Sequence, residues 1–368
     1  VNFYHYAYHK NRIDDSFLHK YSLESFKKKT NSMYISFYNE LDHKKKKSKQ
    51  YKLSFLEYLV SKKYESLKSF DKEVEYLKKS KLSNFESIYL VPLKSNLVSK
   101  LTTYSDKQKN YFKKIILNNA LYSQKSLSPI FIVGLMRSGS TVLEKIIGQS
   151  PDIYNCEEST IIRQFLNRIH LNLKKENIVE VYNQNFPQLK NFKRFTDKSL
   201  DNFLFIDLIL ELYPDAKFIN TVRDPKENVF AIFKSFFENV PYSYDLENIL
   251  EYMDMYFKIM KSMIAKYPNS IYTFDHQSFI KNPNIQAEDL FNFLEIKWKK
   301  NYLNFHKKEN FSRTYSNIQI KGEITKKFIN KYVKYYYLLE KHKDRYVWLR
   351  WKFTKEYKKV KKSRHAYD

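Results

Sequence analysis

A chain of 368 residues with only 4 glycines is confined almost throughout to backbone conformations that side chains tolerate. Average usage of about 7% would supply roughly 26. Three of the four, Gly134, Gly139 and Gly148, fall within fifteen positions, so that stretch is where the backbone must turn or approach something closely. Proline divides the chain in a second way, since all 9 prolines lie between Pro92 and Pro283. Residues 1–91 lack both breakers and are rich in Lys, Leu, Glu, Tyr and Ser. Leu53, Leu56, Leu59 and Val60 recur at helical spacing, and Val74, Leu77 and Lys78 continue it. Between them Ser69 or Asp71 is placed to cap a new helix. This region is expected to form helical hairpins, with Lys44 to Lys47 a solvated loop or helix end.

From Pro129 the pattern changes. Ile130-Phe131-Ile132-Val133 is a short apolar run ending at a glycine, as a buried parallel strand would. Thr141 to Gln149 places Val142, Leu143, Ile146 and Ile147 at helical spacing. Lys217 to Val222 and Ile271 to Phe274 read as further strands, followed by helices over Lys226 to Asn239 and Asn284 to Leu294. Such alternation implies an α/β fold, a parallel sheet flanked by helices.

Composition bounds the alternatives. Hydrophobic content of 43% and aromatic content of 17% exclude wholesale disorder. No run approaches ~18 uncharged apolar residues, so no transmembrane helix is expected. Val1 to Lys10 lacks the apolar stretch of a signal peptide, although a chain that does not begin with Met can be part of a longer protein. The single Cys156 excludes an internal disulfide framework and a multi-cysteine zinc site. A reducing, cytoplasmic setting is the resulting expectation. The nine histidines show no clustered ligand spacing, so no metal is implied. The net charge of +26 fits the Lys, Asn, Tyr, Phe and Ile usage of an AT-rich genome, with attraction to anionic partners as a by-product.

Chemistry concentrates in Gly134-Leu135-Met136-Arg137-Ser138-Gly139-Ser140-Thr141. In a strand–loop–helix connection, successive backbone N–H groups point into one concavity that favours an oxyanion. Ser138, Ser140 and Thr141 add hydroxyls, and Arg137 adds a planar cationic fork. Gly134 and Gly139 have the spacing of the nucleotide-binding pattern G-x-x-x-x-G-K-[ST], but Ser140 replaces its Lys. The missing Lys argues against ordinary ATP or GTP hydrolysis.

Pro129 to Thr141 resembles the 5′-phosphosulfate loop of sulfotransferases, in the form found in tyrosylprotein sulfotransferases and bacterial sulfotransferases with tetratricopeptide repeats. Met136 stands for the usual Pro and Ser140 for the first Thr of P-R-S-G-T-T. The resemblance implies 3′-phosphoadenosine-5′-phosphosulfate (PAPS) as sulfuryl donor, held by Arg137, Ser138, Gly139, Ser140 and Thr141. It continues in order to about residue 335. Ser150 to Ser159 resembles the segment ending in a catalytic glutamate, which falls on Glu158 with Glu157 as the neighbouring alternative. A carboxylate there can act as general base toward an acceptor hydroxyl. Cys156 is expected to be a small buried residue. Asp197-Lys198 with Asn202 looks like the family's D-K-x-P-x-N, Leu200 replacing Pro. Lys198 would then lie near the group transferred, where negative charge grows on the oxygen leaving sulfur. Asn202 is expected to cap a helix running to Tyr213.

Tyr213 to Pro225 resembles the strand whose exit Arg, here Arg223, grips the donor's 3′-phosphate. The Ser expected eight residues on is Ala231, a lost hydroxyl that Lys234 or Ser235 would replace in part. His276 stands where a nucleotide-contacting Tyr is usual, a surface His being the alternative. Thr314 to Lys321 resembles the C-terminal T-x-S-x-x-Q-V-R segment, and Lys331-Tyr332 a Lys-Trp pair beyond it. Ser316, Lys321 and Lys331 would close over the nucleotide. Tyr64 to Leu77 is similar to one tetratricopeptide repeat, with Glu73 where a small residue packs.

The expected organisation is a helical, tetratricopeptide-like region over 1–125, a P-loop-like domain over 126–340 and a basic, aromatic extension over 341–368. In the extension, Trp348, Trp351, Phe353 and Tyr357 alternate with Lys and Arg. A helix packing its aromatics on the body, with a frayed tail, is the expectation; a peripheral membrane contact is the alternative, and nucleic acid is disfavoured. The expected activity is PAPS-dependent sulfuryl transfer to a hydroxyl of unassigned class. A helical-repeat adaptor with a decayed nucleotide fold, or a phosphoryl transferase, are the rivals. A protein partner at the helical region and a homodimer are open expectations.

Overall fold

The computed structural model of the protein describes residues 46–89, 128–170, 178–237, 240–307 and 330–349. These fall into two compact units, one within 1–101 and 229–252 and the other within 102–228 and 253–368.

In the first unit, α1 (Lys46–Ser66) and α2 (Phe70–Tyr89) form a hairpin. The chain reverses at Lys68, which adopts a left-handed φ of 59°. α2 begins where the Glu73 amide donates to the Ser69 carbonyl at 3.0 Å. Phe55, Leu56, Leu59, Val74, Leu77 and Phe85 are buried, as the helical spacing requires. Glu73 is buried as well, and its charge is met by Lys234 at 2.7 Å. Lys234 also holds Glu65 at 2.6 Å. Against the burial that would raise it, Lys62 and Lys234 keep the Glu65 carboxyl down at about 2.

The second unit is built on a five-stranded sheet in the order β2-β3-β1-β4-β5. Its strands are β1 (Ser128–Gly134), β2 (Ile153–Asn155), β3 (Arg194–Asp197), β4 (Lys217–Val222) and β5 (Ile271–Asp275). Every pairing is parallel. The α/β parallel sheet flanked by helices is therefore as the alternation predicts. β1 lies at the centre because it can be buried on both faces. Ile130 and Ile132 join Leu143, Ile146 and Ile147 of α3 (Ser140–Ile147) in one core. Phe131 points the other way, against Phe195, Tyr213 and Phe218.

Several boundaries differ from the sequence expectation. β2 and β3 are short, and neither was distinguishable as a strand by its apolar pattern. The helix expected to reach Asn239 is α4 (Pro225–Phe233). It ends because the Ser235 hydroxyl and amide turn back onto the carbonyls of Ala231 and Ile232. Asn202 caps nothing: it is buried inside a 3₁₀ turn, Leu200–Phe205, that precedes the helix Ile206–Leu212. Residues 1–45, Ser316, Lys321 and the extension beyond 349 lie outside the described residues. Among the described residues no helix is long and apolar enough to cross a membrane.

Candidate functional site

In a parallel sheet all strands end on the same edge, and open α/β sheets bind their ligands outside those carboxyl ends. The sequence candidates occupy these exits one by one: the 134–141 loop follows β1, Glu158 follows β2, Lys198 follows β3, Arg223 follows β4 and His276 follows β5.

The loop after β1 needs its two glycines for separate reasons. Gly134 has φ 147°, and a Cβ there would lie 2.6 Å from the Thr221 carbonyl of β4. Gly139 has φ 99°, and its Cβ would lie 2.1 Å from the His276 ring. Between them Arg137 takes the left-handed region at φ 65°. The Ser138 hydroxyl is turned inward, bonded to the Leu135 carbonyl and the Thr221 hydroxyl, both at 2.7 Å. It holds the shape of the loop from beneath. From α4, Asn228 donates to the Met136 carbonyl at 2.7 Å, and Arg223 reaches the Arg137 carbonyl at 3.4 Å. Ser140 and Thr141 open α3, whose N-cap Gly139 offers no side chain to the free amides.

The exits of β2 and β3 are locked together. Lys198 donates its amide to the Glu157 carbonyl at 2.8 Å, and Thr160 donates its amide to the Ser199 hydroxyl at 3.0 Å. Buried Asp197 accepts from the Ser159 and Tyr182 hydroxyls, each at 2.5 Å. These bonds hold Glu157 and Thr160 at positive φ, 54° and 55°. The result brings Glu158 Oε1 to 2.7 Å from Lys198 Nζ. The lysine side chain is wholly buried while Glu158 is 50% exposed, so one member faces the core and the other faces solvent. Glu157 lies apart from this pair, 3.9 Å from Lys145. Cys156 is buried, and burial pushes its thiol far above the usual range, as suits a packing residue.

Beyond β4, Arg223 is paired with Glu227 at 3.3 Å and faces the Tyr332 ring at 5.9 Å. Glu227 in turn accepts from the Lys331 and Tyr332 amides and the Tyr336 hydroxyl. Lys331 is thus drawn to Arg223 through its backbone. Burial, then the Arg223 charge, lowers His276 to about 4, so its imidazole is neutral near pH 7. Its Nδ1 is buried without a hydrogen-bond partner. It is not a surface histidine.

Three residues escaped the sequence reading. Asp197 belongs to the Asp-Lys motif, but its role shows only in the Tyr182 and Ser159 hydroxyls that converge on it. Glu227 is signalled only by its i,i+4 spacing from Arg223. Glu144, buried on α3, lies 4.0 Å from Lys198 and accepts from Thr196 at 3.3 Å. Nothing in the apolar pattern of α3 distinguishes it from a solvent-facing glutamate.

Residues 129–300 match the sulfotransferase family. An uncharacterized protein of Aquifex aeolicus is 24% identical over 235 residues, covering 57% of this chain and 31% of its own. The chain thus spans about a third of that relative's length. Among solved structures, a sulfotransferase from Alicyclobacillus acidocaldarius shares 14% identity at a TM-score of 0.36, over 48% of this chain and 88% of its own. The sulfotransferase domain of the Synechococcus PCC 7002 olefin synthase shares 16% at 0.41, over 67% and 97%. Loop 134–141, Glu158, Lys198, Arg223 and His276 all fall inside the matched stretch 129–300, which bears out the resemblance of this chain to the sulfotransferase family.

Proposed function

We propose that the protein transfers a sulfuryl group from PAPS to an acceptor hydroxyl. The observation that carries this reading is the Glu158–Lys198 pair at 2.7 Å, set on the same sheet edge as the glycine loop and Arg223. The donor set suits a nucleotide that is anionic at both ends. Loop 137–141 would take the 5′-phosphosulfate through backbone amides and the Arg137 guanidinium, and Arg223 would take the 3′-phosphate. The tight approach of His276 to Gly139 leaves no room for a side chain in the loop, and the imidazole's unpartnered Nδ1 is available to the nucleotide.

PAPS, when bound, supplies an electrophilic sulfur and a phosphate leaving group. Glu158 accepts the proton of the acceptor hydroxyl, its exposure giving the acceptor access. Lys198 and Arg137 stabilise charge that grows on the leaving oxygen. The Asp197 hydrogen bonds and the Lys198–Glu157 backbone bond hold base and cation in one geometry, so that positioning and electrostatics rather than covalent chemistry by the protein carry the step. The Ser138 hydroxyl contributes by holding the loop.

Ala231 favours a second reading, a non-catalytic member of the fold. Lys234 and Ser235 do not replace the missing hydroxyl there: one is tied to Glu65 and Glu73, the other to the Ala231 carbonyl. Titration with 3′-phosphoadenosine 5′-phosphate and with ATP decides. Tight binding of the first and weak binding of the second supports sulfuryl transfer, and the reverse supports a phosphoryl transferase. Binding of neither supports the non-catalytic reading. Glu158→Gln is expected to lower turnover at least ~100-fold while leaving nucleotide affinity within about twofold; equal activity in the variant removes Glu158 from the mechanism.

A further inference from the structure

Lys198 lies between two carboxylates of different character. Glu158, at 2.7 Å, is half exposed; Glu144, at 4.0 Å, is 1% exposed. Glu144 is on α3, one turn beyond the loop that Ser140 and Thr141 close. The Thr196 hydroxyl lies 3.3 Å from its carboxylate and is shared with Asn155 Oδ1 at 2.9 Å. The buried ammonium is therefore the larger favourable charge for Glu144, ahead of Lys145, and whatever draws that ammonium away leaves a core carboxylate poorly compensated.

We propose that Glu144 is a proton acceptor coupled to donor binding: when an anionic nucleotide engages Lys198, Glu144 takes up a proton from the medium. This rests on the sulfotransferase reading above. The step is a simple protonation, buffer-H⁺ giving its proton to a Glu144 carboxylate oxygen, with no other bond made or broken. The groups facing Glu144 set its starting point. Burial raises it to about 7, Lys198 opposes that, Glu157 adds to it, and Lys145 and the Thr196 hydrogen bond oppose it. Buried Cys156 also feels its charge. A group poised at that point responds to a small loss of positive charge near it. Protonation frees Lys198 from its buried competitor, leaving Glu158 at 2.7 Å as the carboxylate that shares it with the nucleotide. Glu144 is thus a positioning residue that acts through Lys198.

Calorimetric titration of the full chain with 3′-phosphoadenosine 5′-phosphate at pH 7.5, in buffers of different ionisation enthalpy, counts protons exchanged on binding. The wild type is expected to take up several tenths of a proton per nucleotide, and Glu144→Gln much less. Affinity of the wild type should accordingly weaken severalfold from pH 6.5 to pH 8.5, and that slope should flatten in Glu144→Gln. The wild-type slope alone tests the idea should the variant fail to fold, and Glu144→Asp should retain the uptake. Binding with no proton uptake, or with uptake undiminished in Glu144→Gln, overturns the proposal and leaves the sulfotransferase reading standing. No binding of the nucleotide at any pH overturns that reading, and this inference with it.

Discussion

Arg223 and Glu227, one helical turn apart, are joined at 3.3 Å, and the same carboxylate gathers the Lys331 and Tyr332 amides and the Tyr336 hydroxyl. Glu227 is wholly buried, with its carboxyl raised by burial against the pull of these donors. A buried charge with four donors is hard to replace, because removing it leaves each donor short of a partner. Glu227→Gln keeps an acceptor but loses the charge that orients the Arg223 guanidinium. Destabilisation of about 1–3 kcal/mol is expected in chemical denaturation. Affinity for 3′-phosphoadenosine 5′-phosphate should fall about tenfold, with little change in affinity for adenosine 5′-phosphate, which lacks the 3′-phosphate. Equal losses for both nucleotides would disconnect Glu227 from Arg223's role.

The approach of Gly139 to His276 can be tested by filling it. An alanine at 139 meets the imidazole at 2.1 Å and inherits φ 99°, two separate penalties. Gly139→Ala is expected to weaken nucleotide binding at least ~10-fold and to lower stability by roughly 2–4 kcal/mol. His276→Ala in the same chain removes the steric part only, so the double variant should recover some stability without reaching the wild type. Strict additivity in this cycle would mean that the two residues do not touch.

In the first unit, Glu73 is fully buried and Lys234 meets its charge at 2.7 Å. Lys234→Met takes from a fully buried carboxylate the cation that lies 2.7 Å away. A loss of about 3–5 kcal/mol is expected. Glu73→Ala added to it should restore most of that, since an uncompensated charge and its partner are then both gone. If the double variant is as unstable as Lys234→Met, the pair is not what holds this hairpin to the 229–252 stretch of the same unit.

The fold and the loop were legible from sequence because both are written locally. Ile130 to Val133 is a strand whatever its neighbours, and a glycine-poor chain gives away Gly134 and Gly139. Arg223 and Lys198 were found only through the family resemblance, since one lysine among so many carries no signal by itself. Glu144 was invisible for a physical reason. Its burial depends on β3 lying beside β1, a pairing between residues 128–131 and 194–197 that no local pattern encodes. Asn202 is a parallel case: its residue type suits a helix cap, whereas the fold buries it within a 3₁₀ turn.

Glu144 and His276 make opposite demands on pH, and their balance predicts the shape of the stability curve. Glu144 is raised from 4.5 to about 7 in the fold by burial. The folded state therefore holds a proton that the unfolded state has released, and stability is lost as pH rises from about 4.5 toward 7. The full shift corresponds to about 3 kcal/mol as an order of magnitude. His276 is lowered from 6.5 to about 4 by burial and by Arg223. Its neutral form is the folded one, so it destabilises as pH falls from 6.5 toward 4. Glu144→Gln should thus be more stable than the wild type at pH 8 and no more stable at pH 4.5, whereas His276→Gln should gain at pH 4.5 and not at pH 8. Thermal unfolding of the three proteins at both pH values checks this crossing pattern. Parallel shifts at the two pH values would mean that neither group titrates in the fold as its surroundings require.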